Sequence, residues 1–180
     1  MHSIDELRRQ IRDVPDFPIE GVVFKDITTL LAHPGSLRDT AEHMRKACGR
    51  FEYDAVAAIE SRGFIFGAIL ASMQDLPLVL IRKPGKLPAE THRREYTLEY
   101  GTNVVEMHRD SLPDGSRVLI VDDLVATGGS ALAAAELLRA DGCSVAGAAF
   151  VIDLEFLGGG GKLREEGIEY VSLMDVPSEG

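Results

Sequence analysis

Positive charge is scarce in this chain: 19 Lys and Arg stand against 29 Asp and Glu, a formal net charge of -10 over 180 residues. A surface that acidic is unsuited to gripping a nucleic-acid backbone over a broad face, so no nucleic-acid partner is expected. Cysteine is nearly absent too, with only Cys48 and Cys143. Two thiols do not make a disulfide scaffold, and a reducing cytoplasm is the simplest setting. Long apolar runs are missing. The longest uncharged stretch, Gly63 to Gln74, is about a dozen residues, short of the roughly 20 that span a bilayer, so no membrane partner is expected. Met1 to Asp13 is polar and mixed in charge, unlike a signal peptide. There is no repeat, and the only low-complexity tract is Gly158 to Gly161, for which the sequence offers no reason. The 5 histidines have no metal-ligand spacing.

What remains is the composition of one ordinary domain, 45% hydrophobic. Ser3, three residues before Glu6, forms a capping box that predicts a helix over Ser3 to Asp13, with Ile4, Leu7 and Ile11 on one face. Prolines punctuate Val14 to Gly21. Ser36 can cap a helix that Gly49 ends. Then apolar runs alternate with helical stretches. Strands are predicted at Ala55 to Ile59, Pro77 to Ile81, Val118 to Val121, Ser144 to Ile152 and Tyr170 to Leu173. Helices are predicted at Gly63 to Met73 and Ser130 to Ala140, with a short one at Leu163 to Glu166. This alternation means an α/β fold with a mainly parallel, twisted sheet flanked by helices. Lys83 to Tyr100 breaks the rhythm. It holds prolines, Gly85 and charges of both signs, and reads as a long functional loop.

The chemistry concentrates in Val118-Leu119-Ile120-Val121-Asp122-Asp123-Leu124-Val125-Ala126-Thr127-Gly128-Gly129-Ser130. A hydrophobic strand delivers two acids at its carboxyl end, where open α/β sheets bind ligands. A turn of small residues then opens a helix. Its backbone N–H groups suit a phosphate, and Thr127 and Ser130 add hydroxyl donors. There is no G-x-x-x-x-G-K-[ST] motif, so this is no nucleotide P-loop of the Walker type. Paired carboxylates beside a phosphate cradle suit sugar hydroxyls or a metal ion. The site therefore reads as one for a phosphorylated sugar.

That segment resembles the signature of the type I phosphoribosyltransferases, which bind phosphoribosyl pyrophosphate (PRPP). Further blocks resemble the adenine phosphoribosyltransferases: Pro15-Asp16-Phe17-Pro18, Gly21 to Thr28, Glu60 to Gly67, Arg82 to Pro88 and Leu98 to Thr102. The resemblance runs over nearly the whole chain. Ile19-Glu20 departs from the usual pair before the glycine, and Ser130 replaces the commoner Thr while keeping the hydroxyl.

The resemblance implies a type I phosphoribosyltransferase fold in one domain over 1–180. Residues 1–34 would form a hood over the base site, and 83–100 a flexible catalytic loop. It implies transfer of the 5-phosphoribosyl group from PRPP to N9 of adenine, giving AMP and pyrophosphate, a purine-salvage reaction. Ala126, Thr127, Gly128, Gly129 and Ser130 would hold the 5′-phosphate, and Asp122 and Asp123 the ribose hydroxyls. Magnesium ion would be the cofactor, held near Asp122 and Asp123 through substrate and water rather than directly. Arg62, Lys83 and Lys86 would hold pyrophosphate, with a cis peptide between Ser61 and Arg62. Glu99, beside Tyr100, would move the proton at adenine, making Glu99 and Arg62 the catalytic pair. Val23, Phe24, Lys25 and Leu124 would line the adenine slot. The partners implied are adenine, PRPP and a second copy of the chain, in a cytoplasmic homodimer. Two alternatives stay open: a xanthine or guanine phosphoribosyltransferase, and a non-catalytic PRPP-sensing regulator.

Overall fold

The computed structural model describes residues 1–98 and 101–177. Its centre is a parallel sheet of five strands: β3 (Ala55–Ile59), β4 (Leu78–Ile81), β7 (Arg117–Val125), β8 (Ser144–Leu154) and β9 (Tyr170–Val176). Their order is β4-β3-β7-β8-β9. β3 and β7, inside the sheet, read as near-continuous apolar runs because both faces are covered. Alternate side chains feed two cores. Ala55, Ala57, Val118, Ile120 and Phe150 face one, packed under α5 (Gly129–Ala140) by Ala131, Ala134 and Leu138. Val56, Leu119, Val121, Ala149 and Val151 face the other. There they meet Met44 of α3 (Ser36–Cys48) and Phe66 and Leu70 of α4 (Gly63–Gln74).

Small residues let α4 lie close on β3. A Cβ on Gly67 would stand 2.5 Å from the Cβ of Ala58. Among the described residues no helix is long and apolar enough to cross a membrane.

Several elements differ from the sequence expectation. The capping box at Ser3 forms, but α1 runs only over Ile4–Arg8. Arg12–Pro15 is instead a strand, β1, paired antiparallel with β2 (Val23–Asp26). The backbone bonds of that pair displace the last turn expected from Ile11. A short α2 (Thr28–Ala32) comes next. At α3 the cap is Gly35, at φ +85°, while Ser36 lies inside the helix with its hydroxyl buried and unpartnered.

The second half of the expected loop is a strand, β5 (Thr91–Leu98), which pairs antiparallel with β6 (Gly101–His108). This arm lies along α5, held there by Arg94–Glu136 at 3.1 Å and His92–Asp141 at 3.1 Å. Finally, α6 starts at Gly159 and runs to Glu165, so the glycine run is mostly helix.

Candidate functional site

A cleft of about 290 Å³ opens at the carboxyl ends of β3 and β7. Its wall includes Ser61, Arg62, Lys83 and the whole segment Asp122 to Ala131. The sheet topology alone brings these together: β3 and β7 are neighbours, in register from Ala55 opposite Val118 to Ala58 opposite Val121. The two segments that leave the carboxyl ends of these strands must therefore emerge side by side.

β7 extends to Val125, so both acids lie within the strand rather than after it. Asp123 is 3% exposed, and one of its oxygens is bonded to the Nε of Arg62. Asp122 turns its Oδ1 back to accept the Asp123 N–H at 2.9 Å. Burial, together with the Asp123 carboxylate alongside, holds Asp122 well above the ordinary aspartate range. The start of α4 is pressed against this same strand end. A Cβ on Gly63 would lie 2.7 Å from Asp122 Oδ1 and 2.8 Å from the Val121 carbonyl oxygen, so glycine is required there.

After β7 the chain turns at Gly128, φ +83°, and enters α5 with no side chain capping the helix. Its first N–H groups are free to point at a ligand, and Thr127 lines the same cleft. Ser130 donates to the hydroxyl of Tyr96 on the arm at 3.1 Å. An uncapped helix start beside two carboxylates and a guanidinium can hold a molecule with anionic groups at its ends and hydroxyls between.

Arg62 does not pair with its neighbour Glu60. It serves Asp123, and its guanidinium also sits 5.5 Å from the centre of the Phe24 ring. Phe24 in turn meets Phe17 edge-on at 5.2 Å. Arg62 thus ties the β1–β2 hairpin to the cleft. The cis peptide precedes Ser61, between Glu60 and Ser61, one bond earlier than the resemblance implied.

The remaining residues divide. Leu124 and Lys83 line the cleft. Lys86 is exposed and outside its lining, with its carbonyl accepting from Arg82 at 3.2 Å. Val23 is 46% exposed on the hairpin. The Lys25 side chain turns away to Asp13, at 2.8 Å, and borders a separate hollow with Ile152 and Met174. β-alternation accounts for this, since Phe24 and Lys25 must point to opposite faces. Glu99 and Tyr100 lie outside the described residues.

Sequence reasoning missed three side chains that hold the lysine turn. Glu60 Oε2 accepts from the Lys83 N–H at 2.9 Å and from Arg82 at 3.3 Å. Glu106 is 3% exposed. It bonds Arg93 with one oxygen and accepts the Gly85 N–H with the other at 3.0 Å. Arg82 and Glu106 also exchange backbone hydrogen bonds at 2.8 and 2.7 Å. Glu60 and Arg82 each open a recognisable block, whereas Glu106 falls outside every one.

Residues 26–172 match the phosphoribosyl transferase domain family. The chain belongs to that family, among the adenine phosphoribosyltransferases. An adenine phosphoribosyltransferase of Erythrobacter litoralis is 52% identical over 172 residues, covering 96% of this chain and 97% of that one. The adenine phosphoribosyltransferase structure from Thermoanaerobacter pseudethanolicus superposes with a TM-score of 0.93 at 44% identity, covering 97% of this chain and all (100%) of that one. The Saccharomyces cerevisiae enzyme, solved with an imino-altritol bisphosphate and adenine, gives 0.86 at 36% identity, covering 94% and 97%. The sheet order is thus that of a phosphoribosyltransferase.

Proposed function

We propose that the chain transfers the 5-phosphoribosyl group of PRPP to N9 of adenine, releasing AMP and pyrophosphate. The observation that carries this reading is the convergence of Asp122, Asp123, Arg62 and the open start of α5 on one cleft. N9 attacks C1′ of the ribose, and the bond from C1′ to the pyrophosphate oxygen breaks with its electron pair leaving on pyrophosphate. The N9 proton must go to a base, and Glu99 is assigned that role. Positive charge develops on the sugar and negative charge on the departing group. Residues Ala126 to Ser130 hold the 5′-phosphate. Asp122 and Asp123 accept from the ribose hydroxyls. Arg62 and Lys83 face the pyrophosphate, with Lys86 approaching from the same turn. Adenine lies against Phe24 and Leu124, its edge read by the Val23 to Lys25 backbone. The β5–β6 arm with the turn before it closes over the site and excludes water.

Among the described residues no three acidic, histidine or cysteine side chains converge as a metal cage. Asp122 and Asp123 have oxygens committed to a backbone N–H and to Arg62. Such a donor set fits a magnesium ion that keeps its waters and substrate oxygens, with these carboxylates around it. When bound, the ion offsets negative charge on the pyrophosphate.

A homodimer is favoured by the outer edge of the sheet, where Leu78 and Leu80 of β4 are each 37% exposed, and by Met73 of α4, 42% exposed. The unpaired buried thiols Cys48 and Cys143 fit a reducing cytoplasm.

The test is product formation from PRPP and magnesium with adenine, guanine, hypoxanthine and xanthine in parallel. Adenine should give the highest kcat/KM. Preference for an oxopurine overturns the base assignment, and PRPP binding without turnover on any base would leave a sensor. Light scattering of the pure protein reads the dimer.

A further inference from the structure

The glycine run at Gly158 to Gly161 has no counterpart in the chemistry above, yet its backbone touches the phosphate turn. The Gly159 N–H donates to the Ala126 carbonyl at 2.9 Å. A Cβ on Gly159 would stand 2.3 Å from that carbonyl oxygen and 2.6 Å from the Gly128 nitrogen. The contact is reciprocal, because a Cβ on Gly128 would stand 3.0 Å from the Gly159 carbonyl oxygen. Two bare backbones therefore meet face to face. Gly159 is absent from the cleft wall, so it touches the turn from behind.

Within the run only Gly159 and Gly160 meet anything, since a Cβ on Gly158 has open space around it. A Cβ on Gly160 would stand 2.0 Å from the Tyr170 hydroxyl, a packing contact on β9. A Cβ on Gly161 would meet nothing within 4 Å. Only Gly159 is wedged against the turn that holds the ligand.

We propose that Gly159 is a positioning residue for the 5′-phosphate: its backbone buttresses Ala126 to Gly128 and fixes where their N–H groups point. The inference rests on the assignment of that turn to the 5′-phosphate. Any side chain at Gly159 must part the turn and α6 by on the order of an ångström to restore ordinary contact. Misplacements of that size cost up to about a hundredfold in function.

The experiment compares Gly159→Ala, Gly160→Ala, Gly161→Ala and Thr127→Ala. AMP affinity is measured by calorimetry, KM for PRPP and for adenine by initial rates, and folding by melting curves. In Gly159→Ala, AMP Kd and PRPP KM should rise about tenfold or more, with adenine KM within about twofold. Gly161→Ala should match the parent in all three. Gly160→Ala should lower the melting temperature through Tyr170 without selective loss of AMP. AMP affinity kept in Gly159→Ala but lost in Thr127→Ala overturns the inference and spares the phosphate assignment. AMP affinity kept in both overturns both. Equal loss in Gly159→Ala and Gly160→Ala makes the run merely structural and also overturns it. Should Gly159→Ala not fold, Leu163→Ala loosens the same helix at its buried anchor (0% exposed). It must then show the same selectivity for PRPP over adenine, and a failure to do so overturns the buttress.

Discussion

Glu106→Gln tests how the lysine turn is held. The amide keeps the size of the side chain and an oxygen for the Gly85 N–H, now 3.0 Å from a carboxylate. It removes the charge that faces Arg93. Hydrogen bonds to charged groups are worth about 1.5–3 kcal/mol, and neutral ones about 0.5–1.5. The Arg93 side chain is 62% exposed, so solvent screens that half of the interaction to about 1 kcal/mol or less. The net loss is therefore about 1–2 kcal/mol. For a chain of this length that lowers Tm by roughly 2–8 °C. The same loss frees the segment from Lys83 to Lys86. KM for PRPP, and for pyrophosphate in the reverse direction, should rise about three- to tenfold, with adenine KM unchanged. Melting curves and initial-rate measurements read both effects. A lower Tm with an unchanged PRPP KM would refute the link between Glu106 and the lysine turn.

Three further outcomes are expected. Asp122 is held above its ordinary range by burial and by Asp123, so the fold favours its neutral form. That stability is fully present below the unfolded value, about 3.9, and is lost as pH rises through the folded one. Asp122→Asn should therefore gain Tm over the parent as pH increases from about 4 to 8, while turnover falls by orders of magnitude; a gap that narrows with pH contradicts the assignment. Phe24→Ala removes the ring between Arg62 and Phe17 and should raise adenine KM about tenfold with PRPP KM little changed; equal loss for both substrates would place Phe24 outside the base slot. Glu99→Gln should reduce kcat, and an effect confined to KM would point to arm closure instead of proton transfer.

The sheet and the phosphate cleft were legible because their signals are local and repeated. β3, α4 and the β7–α5 crossover each carry apolar periodicity with a glycine where chain direction changes. The arm was not legible. Thr91 to Glu95 is polar and charged because β5 packs along one side of α5, with Tyr96 against the core. Of the apolar residues in β6, Val105 and Met107 alone are deeply buried. The glycine-rich start of α6 opposes helix propensity. Glycine stands there because Gly159 and Gly160 sit where no side chain fits, which is tertiary information. In the sequence the resemblance gives Arg62 to the pyrophosphate, with no partner inside the chain. The structure gives Glu60 to Arg82 and brings Arg62 to Asp123, 61 positions away, by the pairing of β3 with β7.

The Arg62–Asp123 pair also sets a cost on partial occupancy of the cleft. Each group satisfies the other, so an ion that approaches the Arg62 end of the cleft meets a charge already paired. A bare phosphate that draws off the guanidinium strands a buried carboxylate, and a plain sugar that occupies the carboxylate strands the guanidinium. Only a molecule that brings hydroxyls and an anionic group at the right separation replaces both halves at once. At this end of the cleft a ligand therefore gains most when it replaces both partners of the pair together.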